Sequence, residues 1–203
     1  MITPIFMFTI FMLTLGPIKT VPAFFMMTKD QDIKVARALA VRGTLIATAI
    51  CLLIALVMRG TVAAWQVTVD DLRIAGGILL FIASREMIGQ FSRPGPQASG
   101  PWTHPAVTPL AIPIIVTPWG VAAILVFMGL AAGDTAMIAA IVGFLVLTMV
   151  LNLIGMLFAR QIIALLGFVT FQVTGWIFAV LQAGLAVEAV VISLRNLGLF
   201  RPT

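Results

Sequence analysis

From Met1 to Ile18 the chain carries no charged side chain, yet Gly16, Pro17 and Pro22 stand in the apolar stretch that this run opens. Proline has no backbone N–H, and its ring collides with the carbonyl four residues back, so an unbroken helix is not expected through these residues. Inside a bilayer the backbone groups freed by a break must be satisfied by other protein atoms or by water in a cavity. The same spacing recurs as Pro113-Ile-Ile-Val-Thr-Pro118, again within an apolar stretch. Two interrupted hydrophobic segments at corresponding places in two halves of a chain point to the binding site of a secondary transporter.

The bilayer setting rests on charge. Of 203 residues, 62% are hydrophobic and 9% charged, with a mean hydropathy of +1.18. Soluble domains carry about 25% charged residues, so an integral membrane protein is expected. The net charge of +5 does not indicate nucleic acid, because the basic residues fall between apolar runs, as they do in cytoplasmic membrane loops. Cys51 is the single cysteine, which excludes an internal disulfide or a cysteine metal site and leaves it a packing role. The N-terminal stretch lacks a basic n-region and a small-x-small cleavage site, so it is expected to remain as a span.

Six spans are expected, at about 2–27, 38–58, 70–91, 105–132, 135–158 and 170–194. The first is interrupted from Gly16 to Pro22 and the fourth around Pro113 and Pro118. Asp70 and Asp71 favour a helix start through capping and the helix dipole. Trp65 suits an interfacial anchor. Ser92 to His104 forms a Pro, Gly and Ser-rich linker, and a short apolar connector through Gly167 precedes the last span. Seven Lys and Arg residues border the odd loops (Lys29, Lys34, Arg37, Arg42, Arg85, Arg93, Arg160), against Arg59, Arg73, Arg195 and Arg201 on the other side. By the positive-inside rule the odd loops face the cytoplasm and both termini the periplasm of a bacterial inner membrane.

Pro17 and Pro113 lie 96 positions apart, and Gly76 of "RIAGGIL" lies 99 positions before Gly175 of "QVTGWIF". Such offsets argue for duplication of residues 1–91 as 105–195. Three spans per copy is odd, so the copies must insert upside down relative to each other. The expected fold is an all-α membrane protein of two inverted three-helix repeats in one transmembrane domain.

These motifs resemble the MarC family of inner-membrane proteins, in the wider LysE-like transporter group. The family's first span carries Asp-Pro-x-Gly-x-x-Pro. Here the stretch reads Gly16-Pro17-Ile18-Lys19-Thr20-Val21-Pro22, matching both prolines but neither the Asp nor the Gly. "RIAGGILLFIASREMI", from Arg73, looks like the family's third span, and "PLAIP", Pro109 to Pro113, is the most specific match. The family continues with Gly-Pro-Gly where this chain has Thr117-Pro118-Trp119. The resemblance implies a multispanning exporter, with small neutral amino acids as the substrate class, and marks this chain as a divergent member.

The candidate solute-binding residues are those of the two interruptions: Gly16, Pro17, Lys19, Thr20 and Pro22 in the first, Pro113, Thr117, Pro118 and Trp119 in the second. Half-helix N-termini offer positive dipole ends to an anionic group. Lys19 either faces a cavity, where it would hold a carboxylate or stand in for a coupling cation, or snorkels to the interface. Arg73, Gly76, Gly77, Asn152, Gln172 and Gly175 form a candidate supporting layer. Of these, Arg73 is expected to pair with Asp70, and Asn152 and Gln172 to hydrogen-bond across helices. Glu188 is a candidate proton-coupling carboxylate, with an interfacial position as its bland alternative. Gly129 and Gly133 suit close helix approach within the chain or in a homodimer. No metal cluster, cofactor motif, phosphate-cradling loop or nucleophile–base pair is present, so an enzyme is not expected. A transporter of lipids or amphiphiles and a non-transporting scaffold are the alternatives.

Overall fold

A computed structural model describes residues 4–64, 67–92, 104–131 and 133–199. Trp65 and residues 93–103 of the linker lie outside them. Every regular element among the described residues is helical. The first apolar stretch forms α1 (Pro4–Thr14) and α2 (Pro17–Thr28), separated only by Leu15 and Gly16. Pro17 opens α2, where its missing N–H costs nothing and its fixed φ suits the first turn. Gly16 ahead of it is extended, at φ −80° and ψ 176°. A Cβ at Gly16 would overlap the Met12 carbonyl, so the break requires glycine at this position. The interruption is shorter than expected: Pro22 sits buried inside α2.

The fourth apolar stretch is broken as well. Ala106–Ile115 is an irregular, wide helical segment, followed by α5 (Pro118–Ala131) at an angle of 59°. Thr108 and Ile112 within the segment are extended, and each precedes a proline, whose ring disfavours the helical region for its neighbour. Val116 is extended too, and Pro118 opens α5 as Pro17 opens α2. Pro118, 101 positions after Pro17, is thus the proline that opens a half-helix in this stretch, and Pro113 is not. Pro113 lies within the irregular segment and is exposed.

Between these broken stretches run α3 (Ile33–Ala64) and α4 (Val69–Ser92). Thr68 and Asp71 cap α4 reciprocally, the Thr68 amide donating to Asp71 Oδ2 (2.9 Å) and the Asp71 amide to Thr68 Oγ1 (3.2 Å). After α5, Gly133 turns the chain at φ 93°, and Asp134 caps α6 (Thr135–Leu157) by accepting from the Ala136 and Met137 amides. The last element, α7 (Ala159–Asn196), is 38 residues long. At 1.5 Å per residue that is about 57 Å, far beyond the hydrocarbon core. It is kinked at Gly167 (φ 73°), where the apolar connector was expected to end.

Among the described residues, four helical stretches are long and apolar enough to cross a membrane: Pro4–Thr28, Ile33–Val57, Thr135–Leu157 and Ala159–Asn196. The bent pair Ala106–Ile115 and Pro118–Ala131 makes a fifth. α4 is not among them; it carries Asp70, Asp71, Arg73, Arg85 and Glu86. Large apolar side chains cover the outside, among them Ile5 (78% exposed), Leu45, Leu53, Leu56, Ile177 and Val180. An outer face of this kind suits lipid rather than water.

Inside, small residues let the helices approach. α3 turns Ala36, Ala40, Ala47, Cys51 and Ala55 to the core, a seam of the kind that holds membrane helices together without a hydrophobic driving force. Gly155 of α6 lies against α2, where an added Cβ would come within 2.7 Å of Val21 Cγ2 and 3.2 Å of Pro17 Cβ. α4 lies along α7, with Gly77 set so close that a Cβ would meet the Ala186 carbonyl at 2.8 Å.

Candidate functional site

The last residues of α1 bring the site together. A helix end leaves carbonyls without an intrahelical partner, and α1 ends inside the bundle, where Thr14 and Leu15 are fully buried. Three successive carbonyls are met by four side chains. Thr14 O accepts from Lys19 Nζ and from Thr117 Oγ1 (3.1 Å). Leu15 O accepts from Asn152 Nδ2 at 2.5 Å. Gly16 O accepts from Thr20 Oγ1 at 3.3 Å, and that hydroxyl also lies 2.6 Å from Asn152 Oδ1.

The two breaks meet at this point. Lys19, in the first turn of α2, places Nζ 3.2 Å from Thr117 Oγ1, which lies 98 residues further along the chain. Thr117 occupies the second break and also accepts from the Gly120 amide (3.2 Å), closing the first turn of α5. Gly120 has no room for a Cβ beside Leu15, so the start of α5 is pressed against the end of α1. The Trp119 ring stands with its centroid 5.9 Å from Lys19 Nζ, within range of a cation–π interaction. Among the described residues the one side-chain ion pair is Arg73–Asp70, so no carboxylate neutralises Lys19 there.

Beside Lys19 is a void of about 10 Å³, lined by Leu13, Lys19, Ala83, Met87, Trp119 and Gln182. That is about the room one water molecule needs. Lys19 is the one charged side chain among the residues that line it, with Trp119 and Gln182 beside it.

Of the sequence candidates, Gly16, Pro17, Lys19, Thr20, Thr117, Pro118 and Trp119 converge here. Pro22 is buried further along α2, and Pro113 lies outside the cluster. Asn152, fully buried, ties α6 to the first break. Arg73 bonds Asp70 at 2.9 Å, and Asp70 also accepts from Asn196 Nδ2 (3.0 Å), so Asp70, held by Arg73, ties the start of α4 to the end of α7. Gly76 and Gly77 seat α4 against Val126 of α5 and Val190 of α7, and Gly175 is buried on α7. Gly129 touches Leu72, whereas Gly133 serves the turn before α6. Gln172 is half-buried and does not line the void. Gln182, ten residues along α7, does line it, and donates to Leu80 O at 3.1 Å. Glu188 is exposed on the outer side of α7, away from the breaks. Sequence reasoning missed Thr14 and Gln182. Nothing marks the Thr14 carbonyl except its place at the end of α1, two residues before Gly16, and Gln182 required the facing of α7.

The model of the MarC family integral membrane proteins matches residues 2–197. A UPF0056 membrane protein of Archaeoglobus fulgidus is 30% identical over 189 residues, covering 90% of this chain and 88% of that protein. A UPF0056 membrane protein of Methanocaldococcus jannaschii is 24% identical over 189 residues, covering 90% and 91%. The UPF0056 inner membrane protein YhgN of Escherichia coli (strain K12) is 28% identical over 106 residues, 52% of this chain and 54% of that protein. No solved structure shows a significant match. With the family model matched from residue 2 to residue 197, and two broken apolar helices that meet inside a lipid-facing bundle, the chain belongs to the MarC family of integral membrane proteins.

Proposed function

We propose that the protein is a secondary transporter of the inner membrane, exporting small neutral amino acids or similar small polar metabolites by alternating access around its two breaks. The carrying observation is that Lys19 of the first break reaches Thr117 of the second at 3.2 Å. Irregular backbone at membrane depth is tolerated where it is buried in protein or lines a cavity, and transporters build their sites from such half-helices. Lys19 supplies a fixed positive charge, to which a solute carboxylate is the natural partner. A solute ammonium has the Thr14 carbonyl as its acceptor once Lys19 turns away. A zwitterion meets both demands at once.

The packing pattern supports two inverted repeats of three spans. In this reading α1–α2, α3 and α4 correspond to the 106–131 stretch, α6 and α7, and α4 is the third span, its charges near its ends. The first stretch packs on α6, and its counterpart on α3. α2 packs on α7, and its counterpart α5 on α4. The pairs α3 with α6 and α4 with α7 are their own counterparts. Every one of these contacts maps onto another when the halves are exchanged, as a two-fold axis between the repeats requires.

Flux of labelled neutral amino acids in proteoliposomes tests the reading. Wild type is expected to transport one or more of them, and Lys19→Ala and Thr117→Ala to lower that flux at least about tenfold, the effect of some 1.4 kcal/mol. Unchanged flux in both variants removes the breaks from the pathway.

A further inference from the structure

A second cavity lies away from the breaks, at the end of the bundle where α2 turns into α3 and α6 passes into α7. It measures about 300 Å³, the lower limit of ordinary ligand pockets. Phe24, Ala36, Met156 and Ala164 make its walls apolar, and Arg37 and Arg160 both line it. No Asp or Glu does. Two guanidinium groups thus share one cavity without a carboxylate among its lining residues.

Arg160 is fixed in place. Its Nη2 donates to Thr28 O (3.0 Å) and to Gln31 O (2.5 Å), the carbonyls at and beyond the end of α2. Those bonds use the two N–H groups of Nη2 and leave Nε and Nη1 free of this task. Arg37, about one turn into α3, is exposed. Beside the lining residues Leu157, Ala159 and Ala164 stand the exposed apolar side chains of Phe158, just ahead of α7, and of Leu165 (84% exposed) and Val169 on α7. A charged pocket with an apolar lip at the end of a membrane bundle has a defined complement.

The geometry points to a binding site for an anionic amphiphile: a phosphate or carboxylate held between Arg37 and Arg160, with an apolar chain leaving along α7. Two sources supply this chemistry, an anionic lipid of the leaflet and a soluble amphipathic anion. Basic pockets between spans on the cytoplasmic side hold lipid headgroups in this manner. The site is separate from Lys19 and Thr117, and its test needs no flux, so it stands or falls apart from the transport reading.

Lipid retained by the purified full chain, counted by native mass spectrometry after exchange into mixed phosphatidylglycerol–phosphatidylcholine micelles, provides the test. Wild type is expected to retain phosphatidylglycerol over phosphatidylcholine. Arg37→Gln leaves the Arg160 bonds to α2 untouched, and is expected to weaken retention about fivefold, with the Arg37→Gln/Arg160→Gln double variant near 25-fold. Lys34→Gln, a neighbouring exposed cation that does not line the cavity, is expected to behave as wild type. Displacement of the lipid by octanoate, lost in Arg37→Gln, assigns the site to soluble amphipathic anions as well. Equal retention of the two lipids by wild type and by Arg37→Gln, with no octanoate binding, overturns the proposal.

Discussion

The bond between Thr20 and Asn152 is the sharpest place to test how the first break is held. Both side chains are fully buried, and the hydroxyl lies 2.6 Å from Oδ1. Thr20→Val keeps the shape and removes only the hydroxyl. Asn152→Leu keeps most of the volume but removes two bonds, and leaves the Leu15 carbonyl without its partner. Hydrogen bonds between membrane helices average about 0.6 kcal/mol and reach about 1.7. A carbonyl stranded in a buried place costs about 1–3 kcal/mol. Thr20→Val is therefore expected to lower stability by about 1 kcal/mol and Asn152→Leu by about 2–4 kcal/mol. In the double variant the shared bond is lost only once, so the cycle should return a coupling of about 0.6–1.7 kcal/mol. Reversible denaturation in mixed micelles or steric trapping measures all four states. A coupling below about 0.3 kcal/mol, or an Asn152→Leu variant as stable as wild type, would refute the claim that side chains close the end of α1.

Gly16→Ala pushes a Cβ into the Met12 carbonyl, so it should cost about 1–3 kcal/mol as the break is forced open; a variant of wild-type stability would mean the break is not built as described. On α6, Gly155→Ala should destabilise by pushing α2 away, whereas Gly143→Ala, with nothing within 4 Å, should stabilise by about 0.5–1 kcal/mol, and thermal unfolding of the pair reads the contrast directly. Cys51, buried and the only cysteine, should resist a membrane-permeant maleimide until the bundle unfolds; complete labelling of folded protein within minutes would contradict its packing. In transport assays leucine should compete with the labelled solute, whereas isoamylamine, the same skeleton without the carboxylate, should not. Equal competition by both would remove the carboxylate role of Lys19.

Much of this fold was legible because proline and glycine act locally. Pro17 and Pro118 open half-helices through their own ring geometry, and Gly167 ends the connector through its positive φ. What misled was the equal spacing of two proline pairs. In the first stretch the opening proline comes first and the interior one second; in the other stretch Pro113 is interior and Pro118 opens. Spacing records positions, not which ring starts a helix, and the register slips by a turn or so. The choice between Gln172 and Gln182 failed for a different reason. Ten residues is about 2.8 turns, so the two side chains leave α7 about 80° apart, and only the packing of α7 on α4 decides which faces the void. Thr14 was invisible for a third: its contribution is a backbone carbonyl, which every residue owns.

On the transport reading proposed above, the way the break is closed also says what opening it would involve. The caps on Thr14, Leu15 and Gly16 come from three elements: Lys19 and Thr20 on α2, Thr117 ahead of α5, and Asn152 on α6. α2 follows α1 in the chain and can move with it, but Thr117 and Asn152 belong to the other half. A rocking motion of one half against the other would therefore exchange two of the four caps and keep two. The Leu15 carbonyl loses Asn152 and the Thr14 carbonyl loses Thr117, at the moment when Lys19 also loses its hydroxyl partner. Water entering the widened void can satisfy these groups, but a solute with both an acceptor and a donor satisfies them together. The same contacts that stabilise the closed form would in this way set the chemistry of what opens it.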